Sequence, residues 1–295
     1  MITYRNLKKY WLEKFNSKNI ENADFELNEL LGFIIKADCR SAVFSEMLDK
    51  TADLHTEKKF DELCKRRING EPLQYILGEW EFYGKTLKVG NGVLIPRQDT
   101  EILVDIVKQK IKDKKDLTLI DLCSGSGCIA VALADKNFKD IFCVEKSPEA
   151  FKYLEKNIKL NNCDIKPVLG DVMEQNIIDS LPFADVITCN PPYLTKDDME
   201  NLQKEVSFEP AQALYGGDDG LDFYRQIIRL YKNKFNENGM LVFEIGIGQE
   251  DEVMAMMIQH GFKDVRVRAD LCGVNRCVFG FYRQNQKLCT DVMSV

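Results

Sequence analysis

The chain is poor in metal-ligand patterns. It has two histidines, His55 and His260, and none of its ten cysteines forms a C-x-x-C pair. Ligand spacing for structural zinc is therefore missing, and no metal is expected. Cys39, Cys64, Cys123, Cys128, Cys143, Cys163, Cys189, Cys272, Cys277 and Cys289 are scattered, several of them inside apolar strand-like runs. They read as free thiols of a reducing compartment. A basic surplus is missing too: 40 Lys and Arg stand against 47 Asp and Glu, for a formal net charge of −7. Proteins that wrap bare nucleic acid normally carry the opposite balance, because phosphate neutralisation dominates that affinity. Direct nucleic-acid binding is therefore not expected. No apolar window reaches membrane-spanning length, and the opening Met-Ile-Thr-Tyr-Arg has no apolar signal core. The expected location is the cytosol, with no membrane partner.

What is present suits a globular protein of one large or two modest domains, with 45% hydrophobic and 29% charged residues over 295 positions. Leu7, Tyr10, Trp11 and Phe15 recur at helical spacing, as do Leu27, Leu30, Leu31, Ile34 and Ile35. Shorter amphipathic stretches follow at Val43–Leu48 and Phe60–Ile68. Asn69-Gly70-Glu71-Pro72 then supplies a C-cap glycine and a following proline. The pattern predicts a helical domain over residues 1–73. Residues 74–95 alternate and are broken by glycine, which predicts a β-hairpin linker. From 96 to 285 strands alternate with helices. The candidate strands are Leu117–Asp121, Ile141–Glu145, Ile165–Leu169, Ala184–Asn190, Met240–Ile245, Val265–Arg268 and Cys277–Tyr282. Helices are predicted at Gly127–Lys136, Glu149–Leu160, Leu221–Phe235 and Asp251–His260. Such alternation implies a doubly wound, mostly parallel α/β sheet with an antiparallel pair near the end. Residues 286–295 read as a loose tail.

Asp121-Leu122-Cys123-Ser124-Gly125-Ser126-Gly127 ends the first strand of this region in an acid and a glycine turn. Open α/β sheets bind cofactors at that carboxyl edge, and glycines let the backbone approach a ligand. A dinucleotide loop is the competing reading, but the pattern is D-x-x-x-G-x-G rather than G-x-G-x-x-G. An acid there suits a ligand that carries an ammonium, as S-adenosylmethionine does. Glu145 ends the next strand, where a carboxylate accepts ribose hydroxyls; a solvent-facing strand end is the alternative. Asp171, followed by Val172, stands where an acid can accept from an adenine amino group.

Asn190-Pro191-Pro192-Tyr193 follows a buried strand. Prolines stiffen the loop and remove N–H donors, which frees the carbonyls of Asn190 and Pro191. An N–H₂ group can donate to the Asn190 side-chain oxygen and to the Pro191 carbonyl, while Pro192 and Tyr193 wall a planar group. A simple turn is the alternative, since Asn-Pro starts turns.

These residues, together with Gly70-Glu71-Pro72-Leu73-Gln74-Tyr75-Ile76-Leu77-Gly78, Glu81-Phe82-Tyr83-Gly84, Leu94-Ile95-Pro96-Arg97-Gln98-Asp99-Thr100-Glu101, Phe208-Glu209-Pro210 and Asn275-Arg276, resemble the HemK/PrmC family of release-factor glutamine N5-methyltransferases. The likeness runs from Gly70 to about Tyr282. It departs at Gln98, where the family usually has proline, and at Glu145, where many relatives have aspartate. The resemblance implies a class I S-adenosylmethionine-dependent methyltransferase fold with a seven-stranded sheet. It implies Asn190, Pro191, Pro192 and Tyr193 as catalytic residues. It also implies a cofactor site of Asp121, Cys123, Ser124, Gly125, Ser126, Gly127, Glu145, Asp171, Val172 and Asn190. The implied substrate is the Gly-Gly-Gln glutamine of class 1 peptide-chain release factors, gripped by the N-terminal helices in support of translation termination. Two other readings stay open. An adenine methyltransferase acting on DNA shares the Asn190–Tyr193 chemistry, and a cofactor-binding scaffold without turnover would keep the same loops.

Overall fold

The structure, a computed structural model, describes residues 2–283; the tail expected at 286–295, with Cys289, lies outside the described residues. The chain divides into two compact units, Met1–Trp80 with Val89–Asn91 and Leu202–Glu209, and Glu81–Lys88 with Gly92–Asn201 and Pro210–Val295.

The first unit is helical: α1 (Tyr4–Ser17), α2 (Ala23–Ile35), α3 (Ala42–Met47), α4 (Leu54–Ile68) and α5 (Leu73–Leu77). Thr3, Ser41 and Asp53 start α1, α3 and α4 as N-caps, each side chain accepting an N–H of the first turn. The periodic apolar residues meet as expected, with Leu7, Trp11, Phe15, Leu27, Leu30, Leu31 and Phe60 in one core. Tyr10, on the same expected stripe, is instead exposed. Residues 73–77 form a helix, so the hairpin predicted from residue 74 starts later, and Leu73 and Ile76 join the helical core. Arg67, nearly fully buried, makes a bidentate pair with Glu26 at 2.6 and 2.9 Å and also reaches Glu205. A buried guanidinium needs this many acceptors to offset its desolvation.

The hairpin is β1 (Glu79–Phe82) with β2 (Lys85–Lys88). The second unit continues with α6 (Glu101–Ile111), β3 (Leu117–Leu122), α7 (Cys128–Leu133), β4 (Phe138–Glu145), α8 (Pro148–Leu160), β5 (Lys166–Leu169), α9 (Gln175–Ser180), β6 (Ala184–Cys189), α10 (Lys196–Glu200), α11 (Asp222–Tyr231), β7 (Phe235–Glu244), α12 (Glu250–Gln259), β8 (Phe262–Ala269) and β9 (Asn275–Tyr282). Strands β3 to β9 form one seven-stranded sheet in the order β5-β4-β3-β6-β7-β9-β8. Pairing is parallel from β5 to β7 and antiparallel at β7–β9 and β8–β9. The expected sheet and its antiparallel end pair are therefore present.

Alternate residues of each strand bury on opposite faces. Leu119, Ile141, Val186 and Val242 belong to one core, with α6 and α7. Ile120, Val144, Ile187 and Phe243 belong to the other, with α11 and α12. Burial on both faces explains why these strands read as continuous apolar runs. The chain moves outward from β3 through β4 to β5, then returns to place β6 on the other side of β3. That reversal opens a crevice at the carboxyl ends of β3 and β6, the usual ligand position in open α/β sheets. Among the described residues no helix is long and apolar enough to cross a membrane.

Candidate active site

The loop from Cys123 to Gly127 needs left-handed backbone at Cys123, Gly125 and Gly127, with φ of 57°, 54° and 78°. A Cβ at Gly127 would sit 2.5 Å from Leu154 Cδ1, so a side chain there would have to displace Leu154 as well as strain the left-handed backbone. At Gly125 a Cβ would meet nothing within 4 Å, so there only the backbone conformation makes the demand.

Glu145, at the end of β4, organises this loop. Its Oε2 accepts from the Gly125 amide at 2.7 Å and its Oε1 from the Ser147 amide at 2.6 Å. Burial pushes its pKa up, and the amide hydrogen bonds partly offset this. Each oxygen keeps a second lone pair. Asp171 accepts from the Met173 amide at 2.9 Å and pairs with Lys146 Nζ at 2.8 Å. Burial opposes its ionisation, but the Lys146 and Met173 contacts win and hold its pKa below the usual value.

A cavity of about 560 Å³ lies at these loops. Cys123, Ser124, Gly125, Ser126, Glu145, Asp171, Val172, Asn190 and Pro192 all line it. Cys123 and Asn190, 67 positions apart in sequence, thus line one cavity because β3 and β6 are neighbours. Four expected site residues are absent from the lining. Pro191 is buried behind it, Gly127 faces α8, and Tyr193 packs on the core beneath α11 and α12. Asp121 is fully buried: its Oδ1 accepts from Thr188 Oγ1 at 2.7 Å, while Oδ2 has no hydrogen-bond partner. Burial, with the charge of Glu145 adding to it, pushes its pKa to about 7. The structure therefore puts Asp121 beneath the loop rather than at the cavity surface.

Asn190 is half-buried, and its Nδ2 lies 3.4 Å from Thr100 Oγ1. With the nitrogen end engaged there, Oδ1 is the end left to accept from a ligand. The cavity is also lined by Lys196, Met199, Ala211, Gln212, Tyr215 and Phe223.

Residues 97–217 match the methyltransferase small domain family, and residues 6–78 match the PrmC N-terminal domain. A release factor glutamine methyltransferase of Thermodesulfovibrio yellowstonii is 41% identical over 260 residues, covering 85% of this chain and 90% of that protein. The release factor glutamine methyltransferase of Clostridium botulinum is 36% identical, covering 84% and 88%. The chain belongs to the release factor glutamine methyltransferase family. A methyltransferase from Pyrococcus furiosus superposes with a TM-score of 0.52 at 16% identity, covering 69% of this chain and 91% of that one, and shares the fold.

Several residues that build this methyltransferase site carried no role in the sequence reading. Asn157, fully buried in α8, exchanges hydrogen bonds with the Lys88 amide and carbonyl at 2.6 and 3.0 Å and donates to the Ser126 carbonyl at 2.9 Å. An asparagine in a helix interior is a weak signal, since it is poorly favoured there. Ser147 caps α8, with Pro148 following, a recognisable helix start just after Glu145. Thr100 lies in the segment 94–101 of the resemblance but has no role assigned there, and Glu244 shows no pattern of its own. Glu244 is nearly fully buried, its Oε2 has no hydrogen-bond partner, and burial pushes its pKa to about 7.

Proposed function

We propose that this chain methylates the side-chain amide nitrogen of the glutamine in the Gly-Gly-Gln motif of class 1 peptide-chain release factors, using S-adenosylmethionine, and so supports translation termination. One observation carries the reading: Asn190 and Pro192 line the same cavity as Gly125 and Glu145, at the reversal point of the sheet. Membership of a release factor glutamine methyltransferase family supports both the cofactor and the substrate.

The residues present fit the cofactor. Glu145 has lone pairs left for two ribose hydroxyls, and Asp171 stands beside the apolar Val172 for an adenine ring. Cys123 to Ser126 line the cavity surface, without a Cβ at Gly125. Asp121 lies beneath the loop, where the charge of a bound ammonium would favour its ionised form against the protonated form that burial favours. Bound there, S-adenosylmethionine supplies an electrophilic methyl group on a sulfonium.

An amide nitrogen is a poor nucleophile, because its lone pair is delocalised into the carbonyl. Placement must compensate. Asn190 Oδ1, at the cavity wall, accepts an N–H bond of the glutamine amide, which fixes the nitrogen and favours its pyramidal form. Pro192 walls the side chain. Tyr193 contributes by packing beneath the loop. The methylated nitrogen is strongly acidic and loses its proton to a carbonyl or water, so no dedicated base is required.

The helical domain, taken as residues 1–73, is the recognition module for the release factor, joined by the linker 74–95 to the catalytic domain 96–285. The net charge of −7 favours a protein partner in the cytosol over nucleic acid or an anionic membrane. The test offers the purified protein a labelled cofactor with an intact release factor, with DNA and with bulk protein. Label in the release factor is expected; label in DNA at a comparable rate would favour the adenine reading instead.

A further inference from the structure

Beneath the Asn190–Tyr193 loop lies a second layer that does not touch the cavity. Gln249, the N-cap of α12, is half-buried there. Its Oε1 accepts from the Gly246 amide at 2.9 Å. Its Nε2 donates to the Tyr193 carbonyl at 3.1 Å and to the Gly220 carbonyl at 3.3 Å. One side chain thus ties together the loop after β6, the turn before α11 and the turn after β7.

Glycines make this approach possible. A Cβ at Gly220 would lie 2.2 Å from the Tyr193 carbonyl oxygen and 2.7 Å from Gln249 Nε2. One at Gly246 would lie 2.9 Å from Gln249 Oε1 and 3.0 Å from Tyr193 Cδ2. At Gly216 it would lie 2.6 Å from both the Pro192 carbonyl oxygen and Tyr193 Cα. Three bare backbones therefore pack against Pro192, Tyr193 and Gln249, and Gln249 links Tyr193 to two of them, Gly220 and Gly246, by hydrogen bonds. The far end of the loop is held separately, by Leu194 N–H to the Leu214 carbonyl and Gly216 N–H to the Leu194 carbonyl, both at 2.8 Å.

We propose that Gln249 is a positioning residue for methyl transfer, holding the Asn190–Tyr193 loop in register with the bound substrate amide. The proposal rests on the reading that this loop binds that amide. Glutamine suits the task because it presents an acceptor and two donors from one planar group. Glutamate would keep the acceptor for Gly246 but set negative charge against two carbonyl oxygens. Methionine keeps the volume and loses all three contacts. Misplacing a reacting group by about 1 Å costs on the order of a hundredfold in rate, so a freed loop lowers kcat more than it weakens binding.

The experiment compares the full-length parent with Gln249→Met, Asn190→Ala and the double variant, on an intact release factor. Calorimetric affinity for S-adenosylmethionine and thermal midpoint are measured alongside. Gln249→Met is expected to lower kcat about tenfold to a hundredfold, with KM for the factor and cofactor affinity nearly unchanged. The double variant is expected to be no slower than Asn190→Ala alone, because Gln249 acts through the loop that carries Asn190. A general loss of stability would not show that coupling. If Gln249→Met unfolds at the assay temperature, Gln249→Glu carries the same comparison. A kcat within twofold of the parent, or losses that add in the double variant, overturns the proposal. A parent-like rate for Asn190→Ala would instead overturn the reading of the loop itself.

Discussion

The Gly125 amide donates to Glu145 Oε2 at 2.7 Å, so the glycine loop after β3 and the acid that ends β4 form one unit. Glu145 shapes the loop, and in the proposed reading it also presents acceptors to a ribose.

Removing both should be felt in cofactor binding. Glu145→Ala is expected to weaken S-adenosylmethionine affinity about tenfold to a hundredfold, the range for a lost charge-assisted hydrogen bond. Isothermal calorimetry reads this directly. Unchanged affinity would move the ribose site elsewhere.

Asn157 ties the same loop to β2. Asn157→Leu keeps the volume but leaves the Lys88 amide and the Lys88 and Ser126 carbonyls without this partner. At roughly 1–3 kcal/mol for each unsatisfied buried group, a loss of about 3 kcal/mol in stability is expected. Denaturant unfolding checks it; a loss under about 0.5 kcal/mol would mean that water or neighbours replace these bonds.

Burial disfavours the charge of Asp121 and pushes its pKa up from 3.8 to about 7 on folding. The folded state then holds the proton more tightly than the unfolded state. Its stabilising contribution is fully present below about 3.8 and is lost as pH rises toward 7. Asp121→Asn removes that dependence. Unfolding measured from pH 4 to 8 should give the variant a stability profile that falls less steeply than the parent's. Parallel profiles would show that Asp121 is not neutralised by burial.

The sheet was legible because strands buried on both faces read as apolar runs, and the glycine and proline loops marked its carboxyl edge. Edges of elements were less so. The helix predicted at Leu221–Phe235 stops at Tyr231, because Phe235 pairs with Ala184 and opens β7. That strand begins before the predicted Met240, through polar, exposed Asn236 to Asn238, with Asn238 in left-handed backbone. Polar residues around a bulge carry no alternating signal. Helix α6 was not predicted at all. In the site, the lining residues of the loops after β3, β4, β5 and β6 stood out by motif, whereas Lys196, Met199, Tyr215 and Phe223 did not, and Asn157 and Gln249 act through partners far away in sequence. The fate of Asp121 was equally hidden, since its burial depends on the pairing of β3 with β6, where Asp121 stands opposite Thr188.

Recognition by the helical domain is open to a surface test. Tyr10, Phe25 and Phe33 are 50%, 47% and 43% exposed there. Replacing all three with serine is expected to raise KM for an intact release factor several-fold, while cofactor affinity stays unchanged. Aromatic side chains are the common anchors of protein interfaces. Steady-state kinetics on the factor, beside calorimetry of the cofactor, makes the comparison. An unchanged KM would place the contact elsewhere.

The central claim is that a glutamine amide held by Asn190 receives the methyl group. The most direct measurement incubates the protein with S-adenosylmethionine and an intact class 1 release factor, then maps the product by peptide mass spectrometry. The account predicts one added methyl group on the glutamine of Gly-Gly-Gln, with at least a hundredfold less from Asn190→Ala. Methylation at another residue, or an undiminished yield from a folded Asn190→Ala protein, would contradict it.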